Sequence, residues 1–260
     1  NTMGRVENKV ALITGGAMGI GRACAERLAS EGAIIVITDV IDEVGMSTVD
    51  AITRAGGQAS YLHHDVTSED EWIKILQQIR QLHGRLDILV NNAGIAVRAS
   101  IFEMTMAQFQ KQNAVNLDGV FLGLKHGIPF MAEKDGGSVI NVSSVAGLMA
   151  SPGLSAYAMT KGGVRLLSKS VAKECAALGN GVRVNSIHPG IIETAIWNKM
   201  DANPEGGENQ ADVETIAELA VPGGILGKPL DIANGVLYLA SDDARYVNAS
   251  ELVIDHGLSA

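Results

Sequence analysis

Short β-branched apolar runs alternate with longer amphipathic stretches along nearly the whole chain. Apolar runs bounded by glycine or polar turns are typical of strands, and apolar positions that recur every three to four residues are typical of helices. The pattern predicts seven strands: Val10 to Ile13, Ile34 to Thr38, Ala59 to Leu62, Ile88 to Val90, Ser138 to Val142, Arg183 to Ile187 and Leu252 to Ile254. Helical periodicity is clearest in five stretches: Ile20 to Ser30, Glu69 to Leu82, Met106 to Met131, Ala156 to Leu178 and Leu230 to Leu239.

Alternation of strand and helix is the signature of βαβ units, which build a parallel sheet. Because the strands are continuously apolar, we expect the sheet to be covered on both faces. The sequence therefore predicts an α/β protein with a three-layer, doubly wound fold of the Rossmann type and a seven-stranded parallel sheet. The chain of 260 residues has no linker-like or low-complexity stretch, so we expect one domain over residues 1–260.

Residues 191–227 interrupt this alternation. The segment contains Pro204, Pro222 and several glycines, and it mixes Ile196, Trp197 and Met200 with acidic residues. Long segments of this kind in compact domains often bind substrate, so we expect a substrate-binding lid. The alternative is a surface excursion that packs against a neighbour.

Charge and composition exclude several classes of partner. The formal net charge of −9 argues against nucleic acid, since proteins that bind phosphate backbones gather Lys and Arg on one face. No apolar run approaches the roughly 18 to 20 residues needed to cross a bilayer, and the first residues lack the apolar segment of a signal peptide. We therefore expect a cytoplasmic protein without a membrane partner. The six histidines match no metal-ligand spacing, so no metal is expected.

A glycine-rich turn from Thr14 to Gly21 follows the first predicted strand and opens the first predicted helix. Glycines at Gly15, Gly19 and Gly21 allow bare backbone N–H groups and the helix N-terminus to approach a pyrophosphate closely. The spacing is G-x-x-x-G-x-G instead of the common G-x-G-x-x-G, so the strand–turn–helix context carries the prediction of a dinucleotide site. A plain connecting turn is the alternative.

Asp39 ends the second predicted strand, at about the ~20-residue offset where an acidic residue holds the adenosine ribose hydroxyls. Its charge repels a 2′-phosphate. No Arg or Lys stands at Ala17, Met18 or Val40 to compensate such a phosphate, so the sequence favours NAD over NADP. The alternative is that Asp39 only caps the next turn.

Tyr157 and Lys161 stand four residues apart, on one face of a predicted helix, where an ammonium lowers the proton affinity of a phenol. A free tyrosine titrates near ~10, and one lysine is not enough to bring its pKa toward ~7. We expect the helix N-terminus and a positively charged nicotinamide to act in the same direction. Tyr-x-x-x-Lys alone is a common pattern. With Ser144 thirteen residues upstream and the glycine-rich turn, it predicts a nicotinamide-dependent redox site.

Several motifs occur in one order along the chain: Thr14 to Gly21, Asn91-Asn92-Ala93-Gly94, Asn116, Ser144, Tyr157 with Lys161, and Pro189-Gly190. On these motifs the chain resembles the short-chain dehydrogenase/reductase family, from about Lys9 to the C-terminus. Three further stretches make it similar, within that family, to bacterial secondary-alcohol, cyclic-alcohol and hydroxysteroid dehydrogenases: Val115 to Phe121, Val184 to Pro189 and Ser250 to Val253.

The resemblance implies four catalytic residues. Tyr157 is the general acid/base, passing a proton to or from the substrate oxygen while hydride moves to or from nicotinamide C4. Ser144 hydrogen-bonds the same oxygen. Lys161 binds the nicotinamide ribose and lowers the pKa of the tyrosine, and Asn116 holds a water that connects Lys161 to solvent.

The resemblance also implies contacts with NAD. Asp65 and Val66 contact adenine, the stretch from Asn91 to Gly94 lies along the cofactor, and Ile192 with Thr194 binds the carboxamide. The full set of cofactor contacts is Gly15, Met18, Gly19, Ile20, Asp39, Val40, Asp65, Val66, Asn91, Ala93, Gly94, Tyr157, Lys161, Pro189, Gly190, Ile192 and Thr194. For Asn91 and Asn116 a structural role in the central sheet is the alternative.

These residues predict an NAD-dependent oxidoreductase that interconverts a secondary alcohol of cyclic, aryl or steroid type and its ketone. The alternatives are an NADPH-dependent acyl-chain or sugar reductase and a dinucleotide-binding sensor without activity. Six side chains suggest an apolar substrate pocket: Val97, Leu148, Met149, Ile196, Trp197 and Met200. The resemblance further implies a homotetramer. Many relatives end in Asp-Gly-Gly where this chain has His256 after Asp255, which puts the family's usual packing of the tail in doubt; we expect His256 to lie at a surface or subunit contact.

Overall fold

The computed structural model describes residues 4–197, 200 and 212–260. Within them, seven parallel strands form one sheet in the order β3-β2-β1-β4-β5-β6-β7. The strands are β1 (Val10–Thr14), β2 (Ile34–Asp39), β3 (Gln58–His63), β4 (Ile88–Asn91), β5 (Gly137–Val142), β6 (Val182–Pro189) and β7 (Glu251–Ile254). Each contains one of the seven predicted strands, and the predicted three-layer, doubly wound fold is confirmed.

Helices cover both faces of the sheet. They are α1 (Gly19–Ala29), α2 (Asp42–Arg54), α3 (Glu69–His83), α4 (Met106–Asn113), α5 (Gly119–Ala132), α6 (Ser155–Leu178), α7 (Val213–Ala220) and α8 (Pro229–Ala240). The apolar pattern does not predict α2 or α7. Helix α2 is hidden from the pattern because it buries only Gly45, Thr48 and Ile52, of which only the last is large and apolar.

Two hydrophobic cores lie on opposite faces of the sheet. Successive residues of a strand point to opposite faces, so Ile13 belongs to the core with α1 and α8 whereas Leu12 belongs to the core with α3, α5 and α6. Trp72 of α3 is fully buried in the second core. Burial on both sides explains why the strands are apolar throughout.

Strand β1 pairs with β2 on one side and with β4 on the other, so the chain reverses its direction of winding at β1. A crevice opens at such a switch point outside the carboxyl ends of the strands, where ligands bind in doubly wound folds. Thr14, Asp39 and Asn91 end the three strands at this edge. The motif residues therefore converge on one end of the sheet.

The predicted helix from Met106 to Met131 is not α-helical throughout. A π-helical turn, Ala114–Asp118, separates α4 from α5. Such a turn accommodates one extra residue within a continuous helix, and it leaves the apolar periodicity on either side intact. Asn116 lies in this turn and is fully buried. The predicted helical stretch is present, and it changes from α-helix to π-helix at the position that the family resemblance singles out.

The predicted lid is described in part. Ile192 pairs with Gly227, and Ile191 packs with Ala217 and Val221 beside α7, so both ends of the segment return to the sheet edge. Residues 198–199 and 201–211, with Pro204 among them, lie outside the described residues. Substrate binding by this segment stays a prediction.

The C-terminal tail turns back against β6. The Asp255 carboxylate accepts hydrogen bonds from the backbone N–H groups of Gly257 and Ser259, at 2.9 and 2.8 Å. His256, which lies between Asp255 and Gly257, is exposed and has a φ of 53°, a left-handed conformation that glycine adopts at lower cost. This geometry explains why glycine suits the position and how the histidine is accommodated at the surface.

Within the described part of the chain, no helix is long and apolar enough to cross a membrane. The same residues contain no group of three His, Cys, Asp or Glu side chains arranged to hold a metal ion.

Candidate functional site

The glycine-rich turn and the loop after β4 are joined by hydrogen bonds between side chains and backbone. The Thr14 hydroxyl accepts hydrogen bonds from the N–H groups of Asn92 and Ala93, at 3.0 and 3.1 Å. The Asn92 amide donates to the carbonyls of Thr14 and Gly15, both at 3.0 Å. Gly15 has a φ of 61°, and a Cβ there would lie 2.8 Å from the Cα of Ala93. Only glycine fits at this junction.

Helix α1 begins where the turn ends. Met18 is its N-cap residue, and no described side chain caps the helix, so the N–H groups of the first turn, with Ile20, remain available to an anion. A Cβ on Gly21 would collide with the carbonyl oxygen of Gly15, and one on Gly19 would lie 3.5 Å from Thr194 Cγ2. The turn therefore has the bare, close-packed form that a pyrophosphate requires.

Asp39 lies beside this turn, at the end of β2. One carboxylate oxygen accepts a hydrogen bond from Ala17 N at 3.2 Å, and the other accepts from Val40 N at 2.8 Å and Ile41 N at 3.2 Å. The hydroxyl of Tyr61 donates to the Asp39 carbonyl at 2.7 Å. Asp39 therefore caps its own turn, as the alternative held, and also holds its charge next to the glycine-rich turn.

Asp65 and Val66 follow β3, next to β2 in the sheet. The Asp65 carboxylate accepts hydrogen bonds from the N–H and the hydroxyl of Thr67, at 2.9 and 2.8 Å. Val66 is buried and so close to α5 that a Cβ on Gly119 would lie 2.8 Å from its Cγ2. Both residues lie at the same sheet edge as Asp39.

The Asn91 side chain is buried within the sheet, where its amide nitrogen is hydrogen-bonded and its Oδ1 has no partner among the described residues. Its amide donates to the Asn141 side chain at 2.8 Å, and the Asn141 amide donates to the Ser168 hydroxyl at 2.9 Å. This chain of hydrogen bonds joins β4, β5 and α6 in the buried interior. The Asn91 side chain thus stabilises the sheet, which is the alternative that the sequence analysis named. A contact between Asn91 and the cofactor would therefore involve its backbone.

Ser144, Tyr157 and Lys161 are brought together by the junction of β5 and α6. Ser144 begins the short helical turn Val145–Gly147 directly after β5, and its hydroxyl accepts a hydrogen bond from Ala146 N at 3.1 Å. Tyr157 lies in the first turn of α6, and Lys161 lies one turn later. Lys161 Nζ is 5.7 Å from the centre of the Tyr157 ring.

Burial dominates the titration of both α6 side chains. It raises the pKa of Tyr157 to about 12, and a hydrogen bond with Ser144 opposes it. It lowers the pKa of Lys161 to about 8. Burial is therefore the largest influence on the Tyr157 pKa among the protein's own groups, and the expected lowering of that pKa by Lys161 stays a prediction.

Lys161 and Asn116 meet at Gly94. Lys161 Nζ donates to the Val142 carbonyl at 2.9 Å. The Asn116 side chain accepts from Ile95 N and donates to Ile95 O, both at 2.8 Å. A Cβ on Gly94 would lie 3.4 Å from both Lys161 Nζ and Asn116 Oδ1. The buried Asn116 of the π-helical turn therefore fixes the loop after β4 next to the lysine.

Comparison with known proteins places the chain in a family. A family model described as enoyl-(acyl carrier protein) reductase matches residues 15–259. A short-chain type dehydrogenase/reductase from Mycobacterium marinum superposes with a TM-score of 0.90 at 31% identity, covering 98% of this chain and 97% of that one. The chain belongs to the short-chain dehydrogenase/reductase family. Members of this family bind a nicotinamide dinucleotide.

Two relatives are similar over almost their full length. The chain is 38% identical to a cyclopentanol dehydrogenase of Comamonas testosteroni, over 99% of this chain and 100% of the relative. It is 40% identical to an NADP-dependent (R)-specific alcohol dehydrogenase of Lentilactobacillus kefiri, over 98% of each. Membership of the short-chain dehydrogenase/reductase family therefore does not by itself fix the choice between NAD and NADP.

The remaining predicted cofactor contacts lie after β6. Pro189 ends the strand, and Gly190 N donates to Ile254 O at 2.9 Å. The Ile192 carbonyl accepts from the Trp197 indole at 2.7 Å and from the Thr194 hydroxyl at 3.5 Å. Because Thr194 also faces Gly19, this segment crosses the end of the sheet toward the glycine-rich turn.

Several residues that position the site were missed by sequence analysis: Thr14, Asn92, Gln112, Thr160 and His188. Thr160 accepts a hydrogen bond from the Asn116 amide at 3.1 Å. His188 contacts the Ser144 carbonyl through Nδ1 at 3.1 Å, and burial lowers its pKa. Thr14 and Asn92 stand inside quoted motifs, and the others adjoin motif residues or lie one helical turn away. Their hydrogen bonds link distant segments, so spacing alone could not single them out.

The structure has an open cavity beside the segment that the sequence predicts to bind substrate. Met200 is buried, and its carbonyl accepts a hydrogen bond from Arg98 N at 2.5 Å. The cavity next to it, of about 520 Å³, is lined by Arg98, Ala99, Ser100, Ile101, Ser151, Pro152, Gly153 and Ser155. None of the six predicted apolar side chains is among these described lining residues. The apolar pocket stays a prediction.

Proposed function

We propose that this protein is an NAD-dependent oxidoreductase that interconverts a secondary alcohol and its ketone. The supporting observation is the meeting of Ser144, Tyr157 and Lys161 at the sheet edge that also holds the glycine-rich turn. Dehydrogenase relatives of 38% and 40% identity support the same reaction class.

Tyr157 is the general acid/base. The bound dinucleotide supplies hydride for ketone reduction and takes it up in alcohol oxidation. The Tyr157 phenol donates a proton to the substrate oxygen in reduction and accepts one in oxidation, while the Ser144 hydroxyl hydrogen-bonds that oxygen. Because burial holds the pKa of Tyr157 at about 12, the protein keeps the phenol protonated, as reduction requires. Oxidation requires the cationic charge of the nicotinamide to lower it.

Lys161 supplies charge and donors. One N–H of its ammonium is used by the Val142 carbonyl, and the others are free to bind the nicotinamide ribose. Asn116 fixes Ile95 and contacts Thr160, which keeps Gly94 next to the ammonium. The water that the resemblance assigns to Asn116 is part of the proposal.

The cofactor residues fit a dinucleotide. Gly15, Gly19 and Gly21 leave backbone space for the pyrophosphate, and the uncapped α1 N-terminus offers donors. Asp39 binds the adenosine ribose. Its carboxylate is held 3.2 Å from Ala17 N, beside the turn, and the negative charge at this position repels a 2′-phosphate. The other cofactor contacts predicted from the sequence belong to the same proposal, as do the single domain, the homotetramer and the cytoplasmic location.

The cofactor preference can be measured with cyclohexanol, 1-phenylethanol and a hydroxysteroid, each with NAD and with NADP. We expect turnover of at least one alcohol and a higher kcat/KM with NAD. Asp39→Asn is expected to reduce that preference, because it removes the charge that repels the 2′-phosphate.

Two results would contradict the proposal in different ways. A higher kcat/KM with NADP throughout would remove the role of Asp39. Binding of NADH without turnover of any alcohol or ketone would favour a dinucleotide sensor.

A further inference from the structure

The cavity of about 520 Å³ opens between the loop after β4 and the loop before α6. Its polar lining consists of one guanidinium and three hydroxyls, those of Arg98, Ser100, Ser151 and Ser155. The described lining residues include no carboxylate. The cavity therefore has a net positive character in a chain whose formal charge is −9.

The backbone around Arg98 is fixed from three directions. Arg98 N donates to Met200 O at 2.5 Å, and Ala99 N donates to Gly153 O at 3.0 Å. Val97 N donates to the side chain of Gln112 at 2.7 Å, and Gln112 is fully buried in α4. The position of the Arg98 backbone is thus set by contacts that do not involve its side chain.

The Arg98 side chain is exposed and, within the described residues, forms no hydrogen bond or ion pair. Other arginines in the same protein do have carboxylate partners: Arg80 pairs with Glu133, and Arg85 pairs with Asp87. Arg98 packs over Gly153, where a Cβ would lie 3.4 Å from Cγ and 3.6 Å from Nε. None of the described residues uses the planar donor fork of Arg98, and such a fork matches a carboxylate.

The cavity is formed by two segments that also lead to catalytic residues. Arg98 lies four residues after Gly94, where a Cβ would lie 3.4 Å from Lys161 Nζ. Ser155 begins α6, two residues before Tyr157. Because residues two apart in a helix point in different directions, a substrate that binds in the cavity must extend to reach the phenol.

We propose that the substrate carries a carboxylate, which Arg98 binds in this cavity with the help of the Ser151 and Ser155 hydroxyls. The preferred substrate class is then a hydroxy acid or keto acid whose secondary alcohol or ketone lies several bonds from the carboxylate. The positive end of the α6 dipole acts in the same direction. This inference rests on the proposed dehydrogenase function and narrows its substrate.

The test compares 3-oxocyclohexanecarboxylate with its methyl ester, using NADH. We expect the wild-type enzyme to reduce the acid with a kcat/KM about 10- to 100-fold higher than that of the ester, as a charge-assisted hydrogen bond predicts. Arg98→Gln should abolish the preference through the KM for the acid and leave the ester unchanged. Arg98→Lys should retain part of it, since the charge remains but the planar fork is lost.

Arg245→Gln is the matched control, because Arg245 is exposed, lies outside the cavity and has a side chain that likewise forms no hydrogen bond with the described residues. It should leave both substrates unchanged, and NADH affinity should be the same in all variants. Equal kcat/KM for acid and ester would overturn the inference. So would an equal loss for both substrates in Arg98→Gln, which is the mark of a structural role.

A binding measurement tests the carboxylate site independently of catalytic activity. Calorimetry should detect cyclohexanecarboxylate binding to the NADH complex of the wild type, weakened at least 10-fold in Arg98→Gln. No binding to the wild type, or equal binding to both proteins, would overturn the carboxylate site. Carboxylate binding without reduction of either ketone would instead count against the proposed dehydrogenase function.

Discussion

The cofactor side and the substrate side of the site are built from different kinds of contact. On the cofactor side, backbone meets backbone: a Cβ on Gly15 would lie 2.8 Å from the Cα of Ala93, and Gly21 has no space for a Cβ beside the Gly15 carbonyl. On the proposed substrate side, loops border an open cavity of about 520 Å³, and the nearest atoms to Gly153 are those of the exposed Arg98 side chain.

This difference separates positions where only one residue type fits from positions where the side chain can change. Backbone contacts at van der Waals distance allow only glycine, so they leave a motif in the sequence. A cavity lined by side chains changes its ligand when one side chain changes, and it leaves no motif. The same fold can thus keep one cofactor and take different substrates.

Replacing the phenol gives the largest expected effect. Tyr157→Phe removes the proton donor and should lower kcat by about 10² to 10⁴, with a much smaller effect on NADH binding, because the other predicted cofactor contacts remain. Steady-state kinetics and NADH fluorescence titration measure the two quantities. Tyr246→Phe is the control, since Tyr246 is 99% exposed. Near-normal turnover in Tyr157→Phe would contradict the assigned role.

Lys161 should reduce stability at neutral pH. Burial lowers its pKa from 10.5 to about 8, so between these values the unfolded state binds more protons and stability rises with pH. At ~1.4 kcal/mol per pKa unit, the unfavourable contribution is about 3 kcal/mol at pH near 7 and should decrease by about 2 kcal/mol at pH near 9.5.

Lys161→Met removes this contribution. Its unfolding free energy relative to the wild type should therefore fall as pH rises over the same window, while activity is lost. The unpaired Val142 carbonyl shifts the whole curve without changing its slope. Urea unfolding at both pH values measures the difference. A difference between the proteins that does not change with pH would show that the ammonium is not desolvated.

Gly21→Ala probes the cofactor side. The added methyl would meet the Gly15 carbonyl and the Asn92 amide, so we expect a loss of about 1 to 3 kcal/mol in stability and a weaker affinity for NADH. Gly162→Ala in α6 is the matched control, because the nearest atom to its Cβ would be 3.9 Å away. Unchanged NADH affinity in Gly21→Ala would mean that the turn does not form the pyrophosphate site.

Gly153→Ala probes the substrate side and has the smallest expected effect. The methyl would meet only the Arg98 side chain at 3.4 Å, so the cost is that of a left-handed φ of 78°, about 1 to 2 kcal/mol. We expect a higher KM for the ketone substrate and unchanged NADH affinity. Weaker NADH binding in this variant would show that the two sides are not independent.

Much of the fold could be predicted because it depends on local pattern. Strands such as β1 are apolar on both faces, and α3 and α6 have regular periodicity, so each is visible in a short window of sequence. Helix α2 could not be predicted in this way, since small residues such as Gly45 and Thr48 form most of its buried face. The π-helical turn at Asn116 was hidden because the apolar positions continue on both sides of it.

The sequence by itself determined the family motifs, the sheet and the residue types of the candidate site, since these follow from backbone geometry that only certain residues permit. The tertiary structure decided which hydrogen bonds position the site residues and how their pKa values are shifted. Burial, which no sequence window measures, raises the pKa of Tyr157 and lowers that of Lys161. Hydrogen bonds between segments far apart in sequence assign Asn91 to the sheet and leave Arg98 facing a cavity. Burial and these hydrogen bonds both depend on which segments the fold brings together.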